Sequence, residues 1–131
     1  MIIRGLPGAG KSTVAKKLAD KVFEADQYFY KFDQDSHQLV YQFDHTKIGA
    51  AHQTCQRNVE NAMNEGISYV AVANTFTQKK EVEPYIILAA KYGYEVQLIT
   101  VQSNFKNVHD VPEESLQRMR NRWENFTLSD F

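Results

Sequence analysis

At 131 residues the chain has room for one hydrophobic core and no second module. With 15 Lys and Arg against 16 Asp and Glu, its formal charge of −1 excludes a general adhesive for nucleic acid or membranes but leaves room for a local basic cleft. No apolar run nears the ~20 residues of a membrane span or heads the chain as a signal peptide, and the single Cys55 allows no internal disulfide. A reducing, cytoplasmic setting is the expectation, with no membrane partner. Three of the six glycines fall within the first ten residues.

In chain order, Met1–Arg4 reads as a short apolar strand. Val14, Ala15, Leu18 and Ala19 recur at helical spacing, so a helix is expected from Lys11 to about Asp20. Val22–Ala25 is a second short strand ending at Asp26, and residues 27–43, without a clear period, read as an irregular excursion. Asp44 can cap a helix with Ile48, Ala51, Cys55, Val59, Ala62 and Met63 on one face and Gly66 as its stop. Tyr69–Ala73 is a continuous apolar run, as expected of a parallel strand buried on both faces. Thr77 can cap the next helix, with Val82, Ile86 and Ala89 inward and Gly93 ending it. Val96–Val101 alternates in part, as an edge strand does. A lid-like loop over 102–112 then leads to a last helix that starts at Pro112, with Leu116, Met119 and Trp123 inward. Strands alternating with helices predict one α/β domain over 1–131, with about four parallel strands covered by helices on both faces.

The chemistry is concentrated in Gly5-Leu6-Pro7-Gly8-Ala9-Gly10-Lys11-Ser12-Thr13, which satisfies GxxxxGK[ST]. Glycines let successive backbone N–H groups turn inward around a phosphate, where a Cβ would collide, and the helix from Lys11 adds the positive end of its dipole. Gly5, Pro7, Gly8, Ala9, Gly10, Lys11, Ser12 and Thr13 are therefore the expected ATP contacts. Lys11 is expected on the β- and γ-phosphates and the Ser12 hydroxyl on Mg²⁺.

Transfer to a hydroxyl also needs a proton acceptor, and Asp26, at the expected end of the second strand, lies on the sheet edge where ligands bind. Asn74 and Thr75 follow the third strand onto the same edge, as substrate contacts or as a turn and cap. Lys106, in the loop before the last helix, is the expected lid cation. Arg118 and Arg122, one turn apart, can clamp a phosphoryl group or pair with acids such as Glu114. Tyr28, Phe29, Tyr30, Phe32, Tyr41 and Phe43 can stack on a base or form a satellite core. The four histidines have no zinc spacing.

Taken with Ala25–Phe29, Phe43–His52, Asn74–Thr77, Tyr92–Val96 and Lys106–Pro112, the glycine loop resembles the small P-loop kinases grouped around phage polynucleotide 5′-kinase. These belong to the adenylate-kinase-like branch, and the resemblance covers nearly the whole chain. It implies a three-layer P-loop fold with strand order 2-3-1-4, and γ-phosphate transfer from ATP with Mg²⁺. The acceptor it implies is a hydroxyl, in polynucleotide kinases the 5′-OH of a nucleic acid. It also makes Asp26 the general base and the loop around Lys106 the lid. Ala73 stands where this group often has an aspartate, and Lys106 where it has an arginine. A polynucleotide 5′-OH or nucleotide-like acceptor is the leading expectation, and the charge balance narrows it to a single-stranded or short end. A nucleoside or sugar-nucleotide kinase and a non-catalytic ATP-binding regulator are the rivals.

Overall fold

In the computed structural model, which describes residues 1–102 and 111–131, the chain opens on a strand that serves two apolar layers at once. The elements in order are β1 (Ile2–Arg4), α1 (Lys11–Leu18), β2 (Lys21–Phe23), β3 (Tyr30–Asp33) and β4 (Gln38–Tyr41), then α2 (Ile48–Asn64), β5 (Val70–Asn74), α3 (Lys79–Tyr92), β6 (Leu98–Thr100) and α4 (Glu113–Asn121). Successive side chains of a strand face opposite ways, so Ile2, Val70 and Val72 pack on Cys55 and Val59 of α2 and on Val82 and Tyr85 of α3. Ile3, Ala71 and Ala73 face the other way and meet Ala15 of α1. The two alanines of β5 let α1, and the loop that starts it, lie close against the sheet.

The main sheet is parallel throughout and runs β2-β5-β1-β6. Counting the strands of this sheet alone, that is the expected order 2-3-1-4, and helices cover both faces as expected. β5 is buried at every residue, while β6 has β1 as its one partner and is half-exposed, the edge position its alternation predicts.

Residues 27–43 depart from expectation. They are not irregular: a 3₁₀ turn (Ala25–Phe29) leads into an antiparallel hairpin of β3 and β4, registered Tyr30 to Tyr41 and Phe32 to Leu39. The turn over 34–37 contains neither glycine nor proline, and His37 supplies the left-handed residue at φ 55°, so the usual hairpin signal is missing. The second strand also stops earlier than expected, at Phe23, because Glu24 caps the 3₁₀ turn. Asp44 does cap, accepting from the Thr46 N–H at 3.0 Å, but the turn it caps is the 3₁₀ lead-in to α2.

Beyond the C-terminal end of β5 the helix cap belongs to Gln78, one residue later than expected, and Thr77 is buried. What fills that corner is Arg4, fully buried at the end of β1. Its guanidinium donates to the carbonyls of Phe76 (3.0 Å), Thr77 (3.3 Å) and Glu124 (2.8 Å). It lies 3.8 Å from the Trp123 ring centroid and 3.9 Å from that of Phe126. The planar cation thus fastens the segment after α4 to the strand that carries the glycine loop.

Candidate functional site

The glycine loop leaves the C-terminal end of β1, in the interior of the sheet. At Gly5 a Cβ would come within 2.7 Å of the Val101 carbonyl oxygen, a collision with backbone that leaves glycine as the residue the site accepts. Gly8 (φ 82°) and Gly10 (φ 95°) turn the chain through the left-handed region, so that the loop closes on itself with Ala9 N–H donating to the Leu6 carbonyl at 3.1 Å. Gly10 is also the N-cap of α1 and brings no side chain, so the first amides of that helix are left for an anion.

Lys11 and Ser12, the first two residues of α1, stand at the mouth of this turn. The Lys11 ammonium reaches across the loop to the Leu6 carbonyl at 3.0 Å. Burial pushes it below the ordinary lysine range, while the charges of Glu24 and Asp26 pull it back up. Both carboxylates therefore act on the loop lysine. The Ser12 hydroxyl donates to Glu24 Oε1. With its proton engaged there, the oxygen keeps its lone pairs for a cation. Nucleotide phosphates and a divalent cation fit this donor set: backbone amides and an ammonium for the anion, and a hydroxyl oxygen with a carboxylate beside it for the metal. Among the described residues no group of three or more His, Cys, Asp and Glu gathers into a metal cluster of its own. Pro7 lies within the loop, and Thr13 is exposed in the first turn of α1.

Glu24 is the site residue that sequence reasoning passed over. The available signal was its place, a carboxylate between the second apolar strand and Asp26. Asp26 itself sits in the 3₁₀ turn just beyond β2, where its carboxylate accepts from the Tyr41 hydroxyl at 3.2 Å. Burial first, and then the charge and hydrogen bond of Asp26, hold the Tyr41 phenol well above its ordinary range, so it remains a donor. The hairpin is thereby tied to the carboxylate.

The other expected site residues divide. Asn74 is buried, and its Oδ1 accepts from the Ala25 N–H at 2.8 Å while its Nδ2 faces Cys55 Sγ at 3.9 Å. Its amide supports the turn carrying Asp26 instead of opening to a substrate. Thr75 accepts from the Gly5 N–H through its carbonyl at 3.3 Å, bracing the loop from the neighbouring strand. Arg118 and Arg122 do not form a clamp. Arg118 pairs with Glu114 at 3.8 Å on the surface of α4, whereas Arg122 donates to the Thr77 hydroxyl at 3.1 Å and approaches Glu81 at 3.8 Å. Lys106 and most of the lid-like loop lie outside the described residues.

A glycine turn between an inner parallel strand and a helix, with Lys and Ser at the helix start, defines a P-loop, nucleotide-binding domain. Residues 1–122 match the family model AAA_33, an AAA domain, and the chain belongs to that P-loop kinase-like family. It is 31% identical over 140 residues to human NEDD4-binding protein 2, an alignment that takes in 96% of this chain and 8% of that protein. The chain thus spans less than a tenth of that relative's length. It is also 26% identical over 135 residues to the uncharacterized protein PM0531 of Pasteurella multocida, covering 91% of this chain and 73% of that one. Among the described residues, no helix is long and apolar enough to cross a membrane.

Proposed function

We propose that the protein is a kinase that transfers the γ-phosphoryl group of ATP to a hydroxyl, most favourably the 5′-OH of a nucleic-acid end or a nucleotide-like acceptor. The observation that carries this reading is the placing of Asp26. It is a carboxylate beside the P-loop lysine, held by Tyr41 and backed by the Asn74 support of its turn. An oriented carboxylate there suits a proton acceptor for an attacking hydroxyl.

When bound, Mg-ATP supplies the phosphoryl group to be transferred. The loop amides, Lys11 and the α1 N-terminus hold the negative charge that spreads over the phosphate oxygens, and Ser12, oriented by Glu24, offers its oxygen to the metal. Asp26 takes the proton from the acceptor hydroxyl as its oxygen bonds to phosphorus, while the bond to the bridging β–γ oxygen breaks and ADP leaves. Tyr41 and Asn74 keep that carboxylate and its turn in place as positioning residues.

Asp26→Asn tests the reading, with γ-³²P transfer from ATP measured against 5′-OH oligonucleotides, nucleosides and sugar nucleotides. Loss of about 10²–10⁴ in kcat is expected, with ATP affinity within a factor of two or so. Transfer at an undiminished rate removes Asp26 as the base, and no transfer to any acceptor by the unaltered protein removes the kinase reading. The last outcome, with ATP still bound, favours a nucleotide-binding regulator.

A further inference from the structure

A concavity lies beside the 3₁₀ turn that carries Asp26. It encloses about 320 Å³ between the 3₁₀ turn after β2, the hairpin and the entry to α2. Its walls carry Tyr28 and Phe43 together with Lys31, Asp44, His45 and Lys47. The volume is at the low end of small-ligand sites, ~300–1,000 Å³, so the cavity admits one nucleotide unit and not a duplex.

Three features give its occupant a chemistry. Phe43 is 55% exposed although its ring packs at 5.1 Å on Phe29 and lies nearly parallel to Tyr41, at 18° and 6.5 Å, so part of an aromatic side chain is open to an occupant. Lys31 and Lys47 make no salt bridge among the described residues, which leaves two ammonium groups in the wall for an anion. The one carboxylate there, Asp44, accepts from the Thr46 N–H at 3.0 Å and the Thr46 hydroxyl at 2.6 Å, and its charge also attracts Lys47 and His45. An aromatic face beside cations suits a flat ring that carries phosphate. The cavity is linked to the proposed base through Tyr41, whose ring lies nearly parallel to that of Phe43 and whose hydroxyl donates to Asp26 at 3.2 Å.

We propose that this cavity receives the terminal nucleotide of a single-stranded acceptor, its base on Phe43 and Tyr28 and its 3′ phosphate on Lys31 and Lys47. Held so, the strand presents its terminal hydroxyl towards Asp26. The assignment rests on the phosphoryl-transfer reading above, and its test is a binding measurement that needs no turnover.

A fluorescent single-stranded hexanucleotide with a free 5′-OH, labelled at its 3′ end, is titrated with protein in increasing salt. A nucleoside 3′-monophosphate serves as competitor. Phe43→Ala is expected to weaken strand binding about five- to hundredfold. Because Phe43 also packs inside the aromatic cluster, Lys31→Glu with Lys47→Glu, both exposed, gives an independent arm. It should lower the slope of log affinity against log salt by about 0.7 for each phosphate no longer neutralised, and ATP affinity should not move. If both arms bind like the unaltered protein, the cavity is not the site, even where the strand is phosphorylated. No binding of either probe also overturns the assignment. Phosphorylation of some other alcohol would then keep the kinase reading, and its absence would remove both. If the monophosphate competes as well as the strand, the shared nucleotide chemistry holds and the single-stranded source falls.

Discussion

The two sides of Asp26 are built on opposite principles. On the phosphate side, backbone does the recognition: Gly5 has a carbonyl where a Cβ would be, the first amides of α1 are uncapped, and β1 and β5 beneath are buried. On the hairpin side, side chains are what is offered, with Phe32 59% and Phe43 55% exposed. The difference is what the proposed transfer, from one donor to a choice of acceptors, would require. Triphosphate geometry is fixed and suits a rigid cradle, whereas an acceptor is recognised by rings and charges that substitutions can alter without disturbing the core.

If that division holds, changes on the phosphate side should abolish both binding and transfer. Lys11→Ala has the largest expected effect, a loss of about 10³ or more in kcat/KM together with weaker ATP binding by calorimetry. Retention of tight ATP binding would show that the loop amides alone carry the affinity. Glu24→Gln is expected to come next. It keeps the size of the side chain but removes the carboxylate that accepts from Ser12, so Mg²⁺ dependence should shift to roughly 10–100-fold higher concentration while nucleotide binding without metal is unchanged. An unmoved Mg²⁺ midpoint would assign Glu24 to the capping of the 3₁₀ turn alone.

The same division explains how much could be read from the sequence. The phosphate side is local and was legible: the glycine spacing, the helix that follows it and the unbroken apolar run of β5 each depend on neighbours in the chain. The order of the main sheet came through resemblance and matched. The hairpin was not legible, because its turn over 34–37 takes its left-handed residue from His37 and its strands are largely exposed, leaving a weak apolar alternation at Tyr30, Phe32, Leu39 and Tyr41. Long-range partners were hidden for a different reason. Nothing near Arg4 in the sequence announces that it meets Trp123, Glu124 and Phe126, nor that the Asn74 amide is spent on Ala25.

Arg4 offers a test of stability in place of chemistry. Arg4→Met keeps the stem against Trp123 and Phe126 but leaves the carbonyls of Phe76 and Glu124 without their donor, while that of Thr77 keeps the Glu124 N–H at 2.8 Å. The expected loss is about 2–4 kcal/mol, read as a lower urea midpoint at unchanged slope. A shift as small as that of an exposed substitution would mean that the segment after α4 is not fastened to β1 through this side chain. Because the corner lies under the glycine loop and away from the hairpin, acceptor binding measured on the folded fraction should be unchanged.

The smallest expected effect is on the hairpin itself and comes from protons. Asp33 closes the turn by accepting from the Asp35 N–H at 3.2 Å and the Ser36 hydroxyl at 2.8 Å, and these bonds, Ser36 first, hold its carboxyl below the ordinary range. A carboxyl depressed in the fold contributes stability that is fully present above its unfolded pKa, ~3.9, and is lost as pH falls from there through the lower folded value. The Tyr30 and Tyr41 resonances should therefore report loosening of the turn only below about pH 4, and Asp33→Asn should flatten that acid limb. Asp33 is only half-buried and its bonds are local, so the amides of the glycine loop should not follow the same titration. If they do, the hairpin and the cradle unfold as one unit, and the separation between a rigid donor side and an adaptable acceptor side is wrong.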